Sequence, residues 1–523
     1  MLIFIPMSGF GDRYIRAGYT QPKPLIPVDG VPMIERILQL FPADARFLFG
    51  INRQHAESTE LASVLARLRP TATIVVIEPH KDGPIQTVLS CAEHIPDDED
   101  VLLNYCDFGV DWSFGDFEAW LTAGAWDGAM TAYKGFHPHS LGPTLYAYMK
   151  SEGDRVTEIR EKHHFTPDKF EEYASSGLYY FRRGRDLKRI AQELVDAGAR
   201  VNGEFYVSMA MQSLIAQGGK VGVYPLAHFY QWGTPEDLRD YDSWAKAMTG
   251  LDAFLSRARH TQSRAVQVIP MAGRGQRFVD QGYADPKPLI DVGGRPMIAQ
   301  AMASLPSPTD RVLIALHEHA ENKRFQAEVA ALKAPTRVLE LDRVTEGQAC
   351  TAKLGLDGID LDRPILFAPC DTGYTYDLDR WLTIEGADDA DLVVWSARDH
   401  LPARWRPQMY GWLVVDGERI SHVAVKKQVD GFPADTQEVV TGTFWFRSAR
   451  VFLEQFEAMV AANDRVNGEF YIDTIVRRMV EAKGEVKAFT VTKYMPWGTP
   501  EELKTFNYWN EVFRGGRSIP ESP

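Results

Sequence analysis

Two glycines, an arginine and a lysine recur at matching spacing in the two halves of this 523-residue chain. Gly9, Gly11, Arg13 and Lys23 lie in "IPMSGFGDRYIRAGYTQPKPLIPVDGVPMI", residues 5–34; Gly273, Gly275, Arg277 and Lys287 lie in "IPMAGRGQRFVDQGYADPKPLIDVGGRPMI", residues 269–298. Glycines placed directly after an apolar run let backbone N–H groups turn towards phosphate oxygens more closely than side chains would allow. A guanidinium two residues further on can grip a polyphosphate bidentately, and the lysine adds a mobile point charge for a second phosphate. A plain strand-to-helix turn with solvent-facing bases has no reason to keep both bases in two copies. The Gly-Lys-Ser/Thr ending of a P-loop is missing, and so is the third glycine of a dinucleotide fingerprint.

Between the two windows 18 of 30 positions are identical, which marks a repeat of domain size. The copies are offset by 264 residues at the Pro-Lys-Pro lysines and at "NYCD"/"APCD", and by 265 at "NGEFY" and "WGTPE", so one residue is inserted between these landmarks. The expected organisation is a first domain over 1–246, a helical tail and linker over 247–263, and a second domain over 264–523. Within each half, runs such as "LIFIPM", "RFLFGI", "TIVVIE" and "VLLNYC" alternate with amphipathic helical windows. This predicts α/β domains, each with a mostly parallel sheet covered on both faces by helices. Ligands then sit beyond the carboxyl ends of the strands, in the loops after "LIFIPM" and "VLLNYC".

The whole chain sets limits on partners. Its net charge of −14 argues against a nucleic-acid backbone but leaves local basic pockets for small anions. Four irregularly spaced cysteines form neither a disulfide scaffold nor a zinc site, which points to a reducing cytoplasm. The start at Met1 reads as a first core strand, not as a signal peptide or membrane span.

Both halves resemble nucleotidyltransferases of the sugar-phosphate type, the family that includes glucose-1-phosphate thymidylyltransferase. The likeness is carried by G-x-G-x-R followed by P-K-P-L, and it extends over nearly all of each half because later landmarks fall in family order. The first half most resembles the capsule and polysaccharide biosynthesis branch, through "YCDFGVDW", "GFHPHSLG", "YASSGLYYF" and "HFYQWGTPEDL". The resemblance implies GT-A-like (Rossmann-like) α/β/α domains and transfer of NMP from an NTP onto a sugar 1-phosphate or related phosphomonoester, with release of pyrophosphate. It also implies Mg²⁺ or Mn²⁺ as cofactor and NDP-sugar supply to surface polysaccharide, with no nucleic acid and no membrane among the partners.

Carried onto this chain, the resemblance gives Arg13 and Arg277 the departing phosphates, and Lys23 and Lys287 the α-phosphate and acceptor. It gives the metal to Asp107 and Asp371, at the ends of "VLLNYCD" and "ILFAPCD". The second metal ligand falls on Asp473 in "NGEFYIDT", where the first half has Ser208 and could recruit Asp111 or Glu204 instead. A Glu-Lys pair that contacts the acceptor matches Glu161-Lys162, and Lys426-Lys427 in the second half. Lys162 and Lys427 then hold the acceptor phosphate, and Lys426 in the glutamate's place alters what the pocket accepts. Gly177 and Gly442 are further substrate contacts. The base of the NTP lies against Gly83 or Gly347, with Gln86 and Gln348 as unaligned amide readers, and Trp232 and Trp497 wall the acceptor site. "WGTPED" and "WGTPEE" read as helix starts, with Thr234 and Thr499 as N-caps. His137 and His139 have no matching pair in the second half; the reaction needs no general base, because the acceptor phosphate is already anionic. Three rival readings stand beside this one: an NDP-sugar-dependent glycosyltransferase, one catalytic half with a regulatory or scaffolding copy, and a non-enzymatic nucleotide sensor.

Overall fold

The computed structural model describes residues 1–515, which fall into two compact units divided between Asp242 and Ser243. Each unit holds a nine-stranded sheet, and the strands follow one another in the same order in both. In the first unit Leu2–Met7 is an inner strand, third in the order, parallel to Arg46–Asn52 on one side and to Val101–Asn104 on the other. Thr73–Ile77 extends the parallel part. All six residues of Leu2–Met7 are buried, as an apolar run without polar alternation requires. Phe4 joins Leu103 in one core with Val88, Ile190 and Met211 of the helices Pro84–Ser90, Gly184–Asp196 and Val207–Ala216. Ile3 and Ile5, which alternate to the opposite face, are buried just as deeply.

Beyond Val101–Asn104 the sheet reverses. Tyr173–Phe181 runs antiparallel to that strand and to Gly128–Tyr133, while Val221–Pro225 is parallel to Gly128–Tyr133. The sheet is therefore mixed, and its parallel part lies chiefly among the amino-terminal strands. The reason is the connection: residues 134–172 carry the hairpin Ala147–Glu152/Arg155–Glu161 where a parallel entry would need a crossover helix. In the second unit Val266–Pro270 is likewise parallel to Asp310–Leu316 and Ile365–Phe367. Glu438–Phe446 is the reversed strand there.

The helix Pro235–His260 spans 26 residues. Its part from Ser243 onward packs within the second unit, where Trp244 stacks on Trp509 with ring centroids 6.3 Å apart and Asp252 pairs with Arg514 at 2.8 Å. Among the described residues no helix is long and apolar enough to cross a membrane.

His400, in the second unit, lies 3.2 Å from the Tyr410 hydroxyl. Burial, with Lys493 adding to it, pushes its pKa down to about 3 from the ordinary 6.5. As pH falls from about 6.5 towards 3 the unfolded chain takes up this proton and the native state does not, so stability is lost across that window. His400→Gln is expected to narrow the difference between urea midpoints of the second unit measured at pH 7 and pH 5; an unchanged difference would refute the assignment.

Candidate active site

The strand Leu2–Met7 delivers the chain into a loop that ends at Gly11, whose φ of 74° is left-handed backbone that glycine adopts without strain. The equivalent Gly275 has φ 64°, and a methyl carbon there would lie 2.8 Å from Lys287 Cβ. Glycine is thus needed at this position for conformation and for the close passage of the lysine. Each lysine opens a short 3-10 turn between prolines, Lys23–Leu25 and Lys287–Leu289. Lys23 Nζ donates to Asp107 Oδ2 at 2.5 Å and to the Gly233 carbonyl at 3.3 Å. Lys287 Nζ donates to Asp371 in the same way. Although burial works against it, Asp371, helped by Cys370 and Glu502, holds the Lys287 ammonium above its ordinary range. The neighbouring thiols Cys106 and Cys370 are pushed up to about 12 by burial and by the adjacent aspartates, so neither is a nucleophile near neutral pH.

In the first unit these groups open onto a cavity of about 600 Å³, a volume typical of small-molecule sites. Gly9, Gly11, Arg13, Lys23, Gly83, Asp107, Glu161, Lys162 and Gly177 all line it, as does Glu204. Arg13 and Arg277 are exposed, each one residue into the helix that follows its loop. Gly83 and Gly347 have φ of 92° and 135°, and a methyl carbon on them would lie 2.7 Å from the Phe205 carbonyl oxygen and 2.5 Å from that of Phe470. Glycine is demanded there by the clasp between this loop and the "NGEFY" segment, where Phe205 N donates to Asp82 O and Phe470 N to Glu346 O. Gly347→Ala is expected to lower the stability of the second unit by about 1–3 kcal/mol or more, from backbone strain plus the clash. A denaturation midpoint equal to that of the native chain would contradict this. Gln86 lies on the helix after Gly83 but not on the cavity wall.

Several sequence expectations are corrected here. Trp232 and Trp497 are buried, with the outer edges of their six-membered rings against Gly109 and Gly373, and Trp232 is not on the cavity wall. Their backbone N–H groups donate to the carbonyls of Asp107 and Asp371, at 2.8 and 2.7 Å, so they position the aspartates. As the sequence predicts, Thr234 and Thr499 cap the helices that follow, Thr499 with a full capping box to Glu502. His137 and His139 are buried away from the cavity, His137 against the Phe229 carbonyl and His139 beside Asp237. Asp111 is engaged by His228 and Tyr230 and is not on the cavity wall.

The largest correction concerns which lysine of the second unit corresponds to Lys162. Lys162 follows the strand Arg155–Glu161 with φ 55°, and Lys426 follows the equivalent strand Arg419–Val425 with φ 60°. Lys162 Nζ sits 4.4 Å from the Tyr206 ring centroid and Lys426 Nζ 5.2 Å from that of Tyr471. Lys426 is therefore the counterpart of Lys162, and Val425 of Glu161. Lys427 is exposed and pairs with Asp430, so it does not occupy the place of Lys162. The inserted residue lies after Lys426, in the loop before Glu438–Phe446, and an alignment shifted by one residue produced the apparent Glu-to-Lys exchange. Gly177 and Gly442, past the insertion, are equivalent, with φ of 103° and 90°. Tyr206 and Tyr471 were missed as site residues, although their retention in both "NGEFY" copies was a visible signal. The hydrogen-bonded series Ser8, Thr87 and His80 on the cavity wall was missed too.

This arrangement, a glycine loop facing a lysine paired to a strand-end aspartate, belongs to a class of mixed α/β NTP-binding domains present here twice. Residues 5–225 match the nucleotidyl transferase family and residues 267–430 the MobA-like NTP transferase domain. The chain thus carries two matches to NTP-transferase domain families in tandem, one in each unit. The bifunctional protein GlmU of Azorhizobium caulinodans is 26% identical over 226 residues, which cover 42% of this chain and 46% of that protein, so the chain matches about half the length of this curated relative. Among solved structures, a nucleoside-diphosphate-sugar pyrophosphorylase from Vibrio cholerae RC9 is 23% identical with a TM-score of 0.38, covering 46% of this chain and 99% of its own. An inositol-1-phosphate CTP transferase from T. maritima is 16% identical, also with a TM-score of 0.38, covering 48% of this chain and 97% of its own.

Proposed function

We propose that each unit transfers a nucleotidyl group from an NTP to a phosphomonoester, a sugar 1-phosphate or a related compound, and releases pyrophosphate. The observation that carries this reading is the pairing of Lys23 with Asp107 and of Lys287 with Asp371 beside a glycine loop. An acceptor phosphate oxygen attacks the α-phosphorus; the new P–O bond forms as the bond to the α,β-bridging oxygen breaks, and pyrophosphate leaves with that electron pair. Positioning and charge neutralisation do the work, with no covalent intermediate on the protein. Arg13 and Arg277 grip the departing phosphates, Lys23 and Lys287 turn from carboxylate to α-phosphate, and Lys162 and Lys426 fix the acceptor phosphate.

Mg²⁺ takes one or two carboxylates together with substrate oxygens, so a single strand-end aspartate facing a phosphate cradle fits it. Among the described residues no group of three or more His, Cys, Asp and Glu is gathered for a metal, which favours an ion shared with the nucleotide. Asp107 and Asp371 would hold it; when bound it neutralises the charge that builds on the leaving pyrophosphate. The requirement for NTP and a phosphorylated acceptor supports a cytoplasmic reaction whose nucleotide-activated product feeds polymer synthesis.

Incubation of the full chain with each NTP, Mg²⁺ and a panel of sugar 1-phosphates and other phosphomonoesters, followed by pyrophosphate release, tests this. Acceptor-dependent pyrophosphate is the expected result. Release of a free nucleoside diphosphate from an NDP-sugar would support a glycosyltransferase instead.

A further inference from the structure

The acceptor ends of the two units carry their carboxylates on different elements. In the first unit Glu161 ends its strand opposite Ala147, lines the cavity, and accepts a hydrogen bond from Ser208 Oγ at 2.5 Å. In the second unit the same strand position is Val425, opposite Gly411, and the carboxylate stands where Ser208 would be, as Asp473 at the start of the helix Ile472–Glu481. The exchange is sterically matched. A methyl carbon added at Gly411 would lie 3.1 Å from Asp473 Cγ, so the alanine of the first unit has become glycine where the new carboxylate enters. Asp473 is only 8% exposed, and its Oδ1 is buried with no hydrogen-bond partner among the described residues.

The positive charge beside each carboxylate is the equivalent lysine, Lys162 for Glu161, which also has Glu204 for a neighbour, and Lys426 for Asp473. Asp371 instead has Lys287 and Glu502 for neighbours. Burial raises both carboxyls, Asp473 up to about 6.

We propose that Asp473 is an acceptor-recognising carboxylate rather than a metal ligand, and that it takes a hydrogen-bond donor, hydroxyl or ammonium, carried next to the phosphate held by Lys426. This rests on the reading of the second unit as a nucleotidyl-acceptor site. Because the carboxylate comes from the helix, with apolar Val425 at the strand position, the two units select acceptors of different shape.

The test is calorimetric binding to the full chain carrying Lys162→Ala, which empties the acceptor position of the first unit, in the presence of Mg²⁺ and a non-hydrolysable NTP. The probes are glycerol 3-phosphate with a hydroxyl donor, phosphoethanolamine with an ammonium donor, and n-propyl phosphate with neither. Asp473→Asn is expected to weaken at least one donor-bearing probe about tenfold, the scale of a hydrogen bond to a charged group, and to leave n-propyl phosphate unchanged. Which donor responds separates hydroxyl from ammonium recognition. Val425→Glu combined with Asp473→Ser, which transplants the arrangement of the first unit, is expected to restore donor preference. Equal weakening of all three probes, or of none, overturns the proposal, as does weakened Mn²⁺ binding by Asp473→Asn measured by electron paramagnetic resonance without acceptor. Binding of n-propyl phosphate with no preference for donors defeats this inference alone; failure of every phosphate to bind defeats the acceptor reading as well.

Discussion

Replacing Lys23 and Lys287 together by alanine is expected to abolish acceptor-dependent pyrophosphate release. Each single replacement should remove the turnover of one unit only. An ammonium aimed at charge that develops in the transition state contributes about 3–4 kcal/mol, or 10²- to 10³-fold in rate. The loss should appear in nucleotide affinity as well as in kcat, because the lysine meets the α-phosphate in the bound ground state and in the transition state alike. Structural damage should be slight: the side chains of Asp107 and Asp371 are 29% and 22% exposed, so solvent can replace part of the lost partner. Circular dichroism and denaturation of the double variant should therefore stay close to the native chain. Turnover retained in the double variant would sink the assignment.

The second large effect separates two adjacent lysines. In a chain whose first unit is silenced by Lys23→Ala, Lys426→Ala is expected to lower remaining turnover by about 100-fold, as loss of a charge-assisted contact to a phosphate should. Lys427→Ala should stay within about twofold, since an exposed pair such as Lys427 with Asp430 contributes little. The reverse order would restore the alignment that equates Lys427 with Lys162 and would mean that the left-handed turn at Lys426 serves only the fold.

The parts of the site legible in the sequence were those fixed by local chemistry. The glycine loop, the Pro-Lys-Pro turn and the strand-end aspartates sit on contiguous, duplicated stretches, and the structure brings Lys23 to Asp107 and Lys287 to Asp371 across 84 residues in each unit. The helix caps at Thr234 and Thr499 were equally readable, because capping is a short-range pattern. What was hidden depends on three-dimensional register. A one-residue insertion in a loop shifts an alignment without leaving a local mark, and only the strand register and the left-handed φ shared by Lys162 and Lys426 reveal where it lies. Trp232 and Trp497 follow the same logic: an aromatic beside a motif looks like a wall, yet its indole is buried against Gly109 or Gly373. The reversed strands Tyr173–Phe181 and Glu438–Phe446 were not foreseen either, since a largely buried strand shows no alternation that would tell antiparallel from parallel pairing.

The most direct test is the binding stoichiometry of a non-hydrolysable NTP analogue with Mg²⁺, measured by calorimetry on the full chain and on chains carrying Lys23→Ala, Lys287→Ala or both. Two nucleotides per native chain, one in each single variant and none in the double variant is the predicted result. An unchanged stoichiometry in the double variant would show that the nucleotide sits elsewhere, and the twin lysine–aspartate sites would lose their claim to be the catalytic centres.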